Sequence, residues 1–252
     1  MKGYERDVTT FLVAGMRDFP VAFARNMKTM FVHPELYQNS TVANSLQHVQ
    51  ALCRLHTQAS QRNGQRSLVP ILRQGCVDLN RQIAHTASFE DLLASTQALL
   101  LLQCLLILDE NSADDGPYSE SVSAMLATLG RRLWQQAPIQ LPHTLSPRRA
   151  WLFGESRDYS VRTPFVDSLP FDIRTSLWDT DAGNWDAVAA ESGCNMVSMY
   201  EYSSMLESGA VHGISPFNAL ILAACKGRAA SSVPYPPTTA YRVYEPTVPA
   251  SS

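Results

Sequence analysis

The chain has 252 residues, 45% of them hydrophobic, enough apolar material for one large globular domain or two small ones. Its 20 basic residues stand against 23 acidic ones, a net charge of −3, so the basic excess that marks a nucleic-acid surface is missing. The opening Met1–Asp7 stretch has no apolar run, so no secretory leader is expected, and five widely spaced cysteines fit a reduced, intracellular protein.

Residues 5–26 carry Phe11, Leu12, Met16, Phe19, Val21 and Phe23, interrupted by Pro20, which predicts two short helices meeting at an angle. Phe31-Val32-His33-Pro34 predicts an extended stretch, because the residue before a proline avoids helical geometry. A helix over about 41–62 has Val42, Leu46, Val49 and Cys53 on one apolar face. The next, over about 67–86, has Ser67 as cap and Pro70 in the first turn. Its stripe is Leu72, Cys76, Leu79 and Ile83.

Ser88, with Asp91 three places on, starts a helix. It runs into Leu99–Leu108, which reads LLLLQCLLIL. That run is too apolar for a wet surface and too short for a bilayer, which needs about 20 apolar residues. The expected object is a helix over 89–108, buried on nearly all sides and therefore surrounded by other helices. A polar, acidic loop over 109–117 closes on Gly116-Pro117, and Val122, Met125, Leu126, Leu129 and Leu133 predict a helix over about 118–136.

Ser146-Pro147 starts a short helix through Trp151, Leu152 and Phe153. From Arg157 to Ala187 the chain is rich in Pro, Gly and Asp, with one short helix expected over about 172–178. Two helices close the fold, over about 198–208 before Gly209 and from Ser215-Pro216 to Gly227. No strand alternation and no internal repeat is present. The expected fold class is all-α, an irregular multi-helix bundle around a buried central helix, with residues 1–228 as the domain and 229–252 as a disordered tail.

Catalytic motifs are absent: no Gly-rich phosphate loop, no GxGxxG, no GxSxG and no HExxH. His48 and His56 are eight residues apart, about 12 Å of helical rise, where a metal pair prefers a gap of four. His33 is expected to cap or pack. No cysteine pair has zinc spacing, and Cys104 inside the leucine run reads as core. The pairs Arg131-Arg132 and Arg148-Arg149 read as solvated helix faces, although each could touch phosphate or an acidic partner. Ser146-Pro147-Arg148-Arg149 also fits a proline-directed phosphorylation site, and Asn39-Ser40-Thr41 is a glycosylation sequon. No catalytic, cofactor-binding or metal-binding residue is assigned.

Six blocks carry a resemblance. They are Phe31–Pro34, Ala98–Gln103, Arg149–Ser156, Leu169-Pro170-Phe171, Leu177-Trp178-Asp179 and Ala223–Gly227. Their order over residues 8–228 resembles the helical regulatory region of fungal zinc-cluster transcription factors, especially those encoded beside secondary-metabolite genes. The chain departs from that pattern twice. The six-cysteine DNA-reading module lies outside it, and the apolar stretch expected after Ser156 is replaced by Arg157-Asp158-Tyr159-Ser160, as if a core helix had been removed near 156–157. The resemblance implies a nuclear regulator acting through protein contacts as a homo- or heterodimer, without direct DNA binding and with no membrane partner. A small-molecule effector and a cytoplasmic location stay open. The alternative is an enzyme or small-molecule-binding protein of the same pathway, with His143, Trp151, Glu155 and Tyr159 lining a pocket between helices.

Overall fold

A computed structural model describes residues 6–37, 43–61, 68–84, 88–108, 116–140, 146–150, 152, 170–172, 176–192 and 196–198, together with Ser204, Leu220 and Ala223. The fold is all-α. Its helices are α1 (Arg6–Met16), α2 (Asp18–Asn26), α3 (Ala43–Gln61), α4 (Val69–Ala84), α5 (Phe89–Leu108), α6 (Gly116–Gln140), α7 (147–150), α8 (Ser176–Asp179) and α9 (Trp185–Ser192). A 3-10 turn, Pro34–Tyr37, lies between α2 and α3. One small ribbon pairs β1 (Pro170–Asp172) antiparallel with β2 (Met196–Ser198), Phe171 opposite Val197. Three-residue strands are too short to leave an alternation in sequence, so the ribbon was not expected.

Helix α5 is the axis. It packs against α3, α4 and α6, and also meets α2. Leu92, Leu93, Leu99, Leu101, Leu102 and Leu105 are fully shielded, Glu90, Asp91 and Leu100 are half-buried, and Ile107 near its end is exposed. By length and composition Phe89–Ile107 is apolar enough to cross a membrane, yet 78% of the tested window is buried inside the protein, as in a core helix. Ser88 caps it: its Oγ accepts the Asp91 N–H at 3.0 Å and donates to the Asp91 carboxylate at 2.6 Å. The start and end match the sequence reading because both signals are local.

The α1–α2 break falls at Arg17, not at Pro20. Pro20 occupies the first turn of α2, where its missing N–H has no intrahelical acceptor to lose, so it starts the helix and does not kink it. Pro117 likewise lies in the first turn of α6, so α6 begins at Gly116 and the expected loop is shorter by two residues. At the other end of α2, Met27 adopts a left-handed conformation (φ 57°) and its N–H bonds to Phe23 O. The last carbonyls of α2 are also met from α3: Gln50 Nε2 donates to Phe23 O and Ala24 O, and Arg54 Nε donates to Ala24 O at 2.9 Å.

Compared with the short helix expected over 172–178, α8 begins four residues later and ends one residue later, Asp172 lies in β1, and α9 was not expected. Asp181 orders the turn that leads into α9: its Oδ1 accepts from Gly183 N at 2.9 Å and Asn184 N at 3.0 Å. Gly75 of α4 is the close approach to α3: a β-carbon there would stand 3.2 Å from Leu52 Cδ1. Gly15 of α1 similarly receives the side chain of Leu220, which ties α1 to a residue more than 200 positions away. Most of the two closing helices (198–208 and 215–227), the 109–115 loop, the 156–157 junction and the tail from 229 lie outside the described residues.

Candidate functional site

The densest polar cluster among the described residues gathers around the loop between α2 and the 3-10 turn. Thr29 shapes that loop. Its Oγ1 accepts from Phe31 N (3.2 Å) and Val32 N (3.0 Å), while its own N–H donates to Val32 O at 2.9 Å. The turn fixes Phe31 and Val32 inward and leaves His33 beside Pro34. From beneath, α5 holds the same loop. Gln97, fully buried, donates from Nε2 to Phe31 O at 2.6 Å and accepts from Tyr37 Oη at 2.6 Å. Burial raises the Tyr37 phenol well above its ordinary pKa, with the Glu90 carboxylate adding to the effect, so it serves as a neutral donor.

Onto this loop the second half of the chain docks. Trp178 of α8 is 3% exposed. Its indole N–H donates to Thr29 O at 2.9 Å, and its ring meets the edge of His33 at a centroid distance of 5.2 Å. Lys28 Nζ donates to Trp178 O at 3.1 Å and pairs with Asp179 Oδ1 at 2.7 Å. Arg148 of α7 is 8% exposed; its guanidinium pairs with the Glu35 carboxylate and donates to Thr180 O at 2.7 Å. Arg149 donates to Leu36 O at 3.2 Å and stands 3.8 Å from a Glu90 carboxylate oxygen.

The charges balance: Lys28, Arg148 and Arg149 face Glu35, Glu90 and Asp179. His33 is buried among them. Desolvation, reinforced by Lys28 and Arg148 and opposed by Glu35, lowers it to about 4, so it is a neutral imidazole. Its Nδ1 accepts the Glu35 N–H at 3.4 Å and its carbonyl accepts from Leu36 N at 3.1 Å, which is a turn-forming and packing role. Among the described residues, the cluster holds no nucleophile hydrogen-bonded to a base. What it does is join segments 32 to 151 residues apart in sequence.

The Arg148-Arg149 pair is therefore not a solvated helix face. Its partners sit 113 residues upstream at Glu35 and Leu36, a proximity that no local spacing encodes. Arg131 is exposed and donates to Thr128 on its own helix. His48 is exposed and His56 half-buried, and among the described residues no three His, Cys, Asp or Glu side chains gather as metal ligands would. Cys53, Cys76 and Cys104 are buried thiols outside any disulfide; burial pushes Cys53 up to about 12 and Cys76 up to about 11. Ser146, exposed, caps α7 by accepting the Arg149 N–H at 3.3 Å. His143, Trp151, Glu155, Tyr159 and the Asn39 sequon lie outside the described residues.

Sequence reasoning missed Lys28, Thr29, Glu35, Glu90, Gln97 and Asp179. The one available signal was Gln97, an amide placed on a helix otherwise shielded from water, where it must find a partner. No family model, no curated protein and no solved structure matches the chain.

Proposed function

We propose that the chain is a transcription-regulator-like helical domain of a fungal secondary-metabolite gene cluster, working in the nucleus through contacts with other proteins. The observation that supports the reading is convergence. Three of the blocks that carry the resemblance, Phe31–Pro34, Arg149 with its neighbour Arg148, and Leu177-Trp178-Asp179, are far apart in sequence and meet at one buried polar cluster. Blocks that share a packing role fit a domain whose order is needed to present a surface. The cluster is charge-balanced, which suits holding a fold together better than turning over a substrate.

The test is capture of partners by the tagged full chain from the producing organism, with cluster transcripts measured after deletion of its gene. Recovery of a transcriptional protein and altered cluster transcripts are the expected results. Unchanged transcripts together with no transcriptional partner would overturn the reading.

A further inference from the structure

Serine or threonine precedes proline three times in the chain, at Ser146-Pro147, Thr163-Pro164 and Ser215-Pro216. Only the first has a cation three places on, Arg149; the residues at that position in the other two are Val166 and Asn218. A hydroxyl, a proline and a base at this spacing give a proline-directed kinase three features to read. Proline has no main-chain N–H, so a cleft without an acceptor there takes proline and leaves any other residue with an unmet donor. The cation three places on suits an acidic subsite.

The fold presents these three positions and withdraws the one between them. Ser146 and Pro147 are exposed. Arg148, at the position such a cleft does not read, is buried, its guanidinium committed to Glu35 and Thr180 O. The Arg149 side chain keeps 31% of its exposure; it donates to Leu36 O at 3.2 Å and faces the Glu90 carboxylate at 3.8 Å, beyond hydrogen-bond length. The Ser146 hydroxyl accepts the Arg149 N–H at 3.3 Å, which takes one lone pair of Oγ and leaves the other for attack.

We propose that Ser146 is a phosphoacceptor for a proline-directed serine/threonine kinase, with Arg149 drawn from Glu90 to the kinase's acidic subsite. In the transfer, Ser146 Oγ bonds to the γ-phosphorus of Mg-ATP. The bond from that phosphorus to the β,γ-bridging oxygen breaks, ADP leaves, and the hydroxyl proton passes to the kinase's catalytic carboxylate. The product carries a charge of about −1.5 to −2 at pH 7. It stands beside a cluster in which Lys28, Arg148 and Arg149 face Glu35, Glu90 and Asp179, so the local balance turns acidic.

The experiment incubates the full chain with a purified cyclin-dependent kinase and Mg-ATP, beside a free peptide of residues 141–152, and locates phosphate by tandem mass spectrometry. Ser146 of the full chain should be labelled within tenfold of the peptide's rate, and at least tenfold faster than Thr163 or Ser215. Peptides carrying P147A or R149A should each be labelled at least tenfold more slowly. In the full chain, E90Q removes the carboxylate that holds Arg149 by charge. It should lower KM at Ser146 at least twofold with kcat unchanged, and leave the rates at Thr163 and Ser215 as they were. A labelled peptide beside an unlabelled Ser146 in the full chain, no labelling of either, or preference for Thr163 or Ser215 overturns the site. These measurements need only the wild-type chain and peptides, so they decide it whether or not a variant folds. An R149A peptide labelled as fast as the wild-type peptide, or an E90Q chain with unchanged KM, overturns the part given to Arg149; E90D, which shortens the reach of the carboxylate, replaces E90Q if circular dichroism shows that E90Q is unfolded.

Discussion

Replacing Gln97 with leucine tests the central joint of the fold. The two side chains are close in volume, so the change removes hydrogen bonding and leaves little cavity. Gln97 is fully buried; its loss strands the Tyr37 hydroxyl and the Phe31 carbonyl, each held at 2.6 Å. A buried group left unpaired costs about 1–3 kcal/mol, so Gln97→Leu should lose about 3 kcal/mol in all. For a chain of this size that corresponds to a fall in Tm of about 6–12 °C. Urea unfolding followed by circular dichroism reads the change as a shifted midpoint with an unaltered slope. Tyr37→Phe alone should cost about 1–2 kcal/mol, because it leaves the Gln97 carbonyl oxygen without its donor. The double variant should lose less than the sum by about 1 kcal/mol or more, since the two side chains share one bond. A Gln97→Leu chain within about 0.5 kcal/mol of wild type, or strict additivity with Tyr37→Phe, would refute the argument that this amide fastens the loop to α5.

Three further outcomes are expected. A β-carbon at Gly15 would meet the methyls of Leu220 and stand 3.0 Å from its Cγ. Gly15→Ala should therefore cost about 1 kcal/mol despite its better helix propensity, and on a Leu220→Ala background the same change should stabilise, by thermal melting. His33 sits at about 4 in the folded chain against an ordinary 6.5, so as pH falls below about 6.5 the unfolded chain takes the proton first. The stability lost is on the order of 3 kcal/mol and levels off below about pH 4, and His33→Gln should remove that part of the slope in urea titrations at each pH. In a C194S/C225S chain, the buried thiols Cys53, Cys76 and Cys104 should react with a disulfide reagent at pH 8 only as fast as the protein opens; full labelling within minutes of mixing with the native chain would contradict their burial.

What the amino-acid order alone determined was the helical frame. The Ser88 cap, the leucine run to Leu108 and the 3.6-residue stripes of α3, α4 and α6 are set by neighbours within a few positions, and they appear where expected. Local sterics also kept the residue before Pro34 out of a helix. Where a local rule had two outcomes, packing chose: Pro20 and Pro117 could break a helix or begin one, and both stand in first turns. The polar cluster was decided by tertiary structure. Arg148 finds Glu35, Trp178 finds Thr29, and Gln97 finds Phe31 only after helices folded from separate stretches have closed on α5. Burial then turns ordinary surface residue types into paired, desolvated ones, because a buried charge or amide is tolerated only beside a partner, and the partner is fixed by the path of the chain in space.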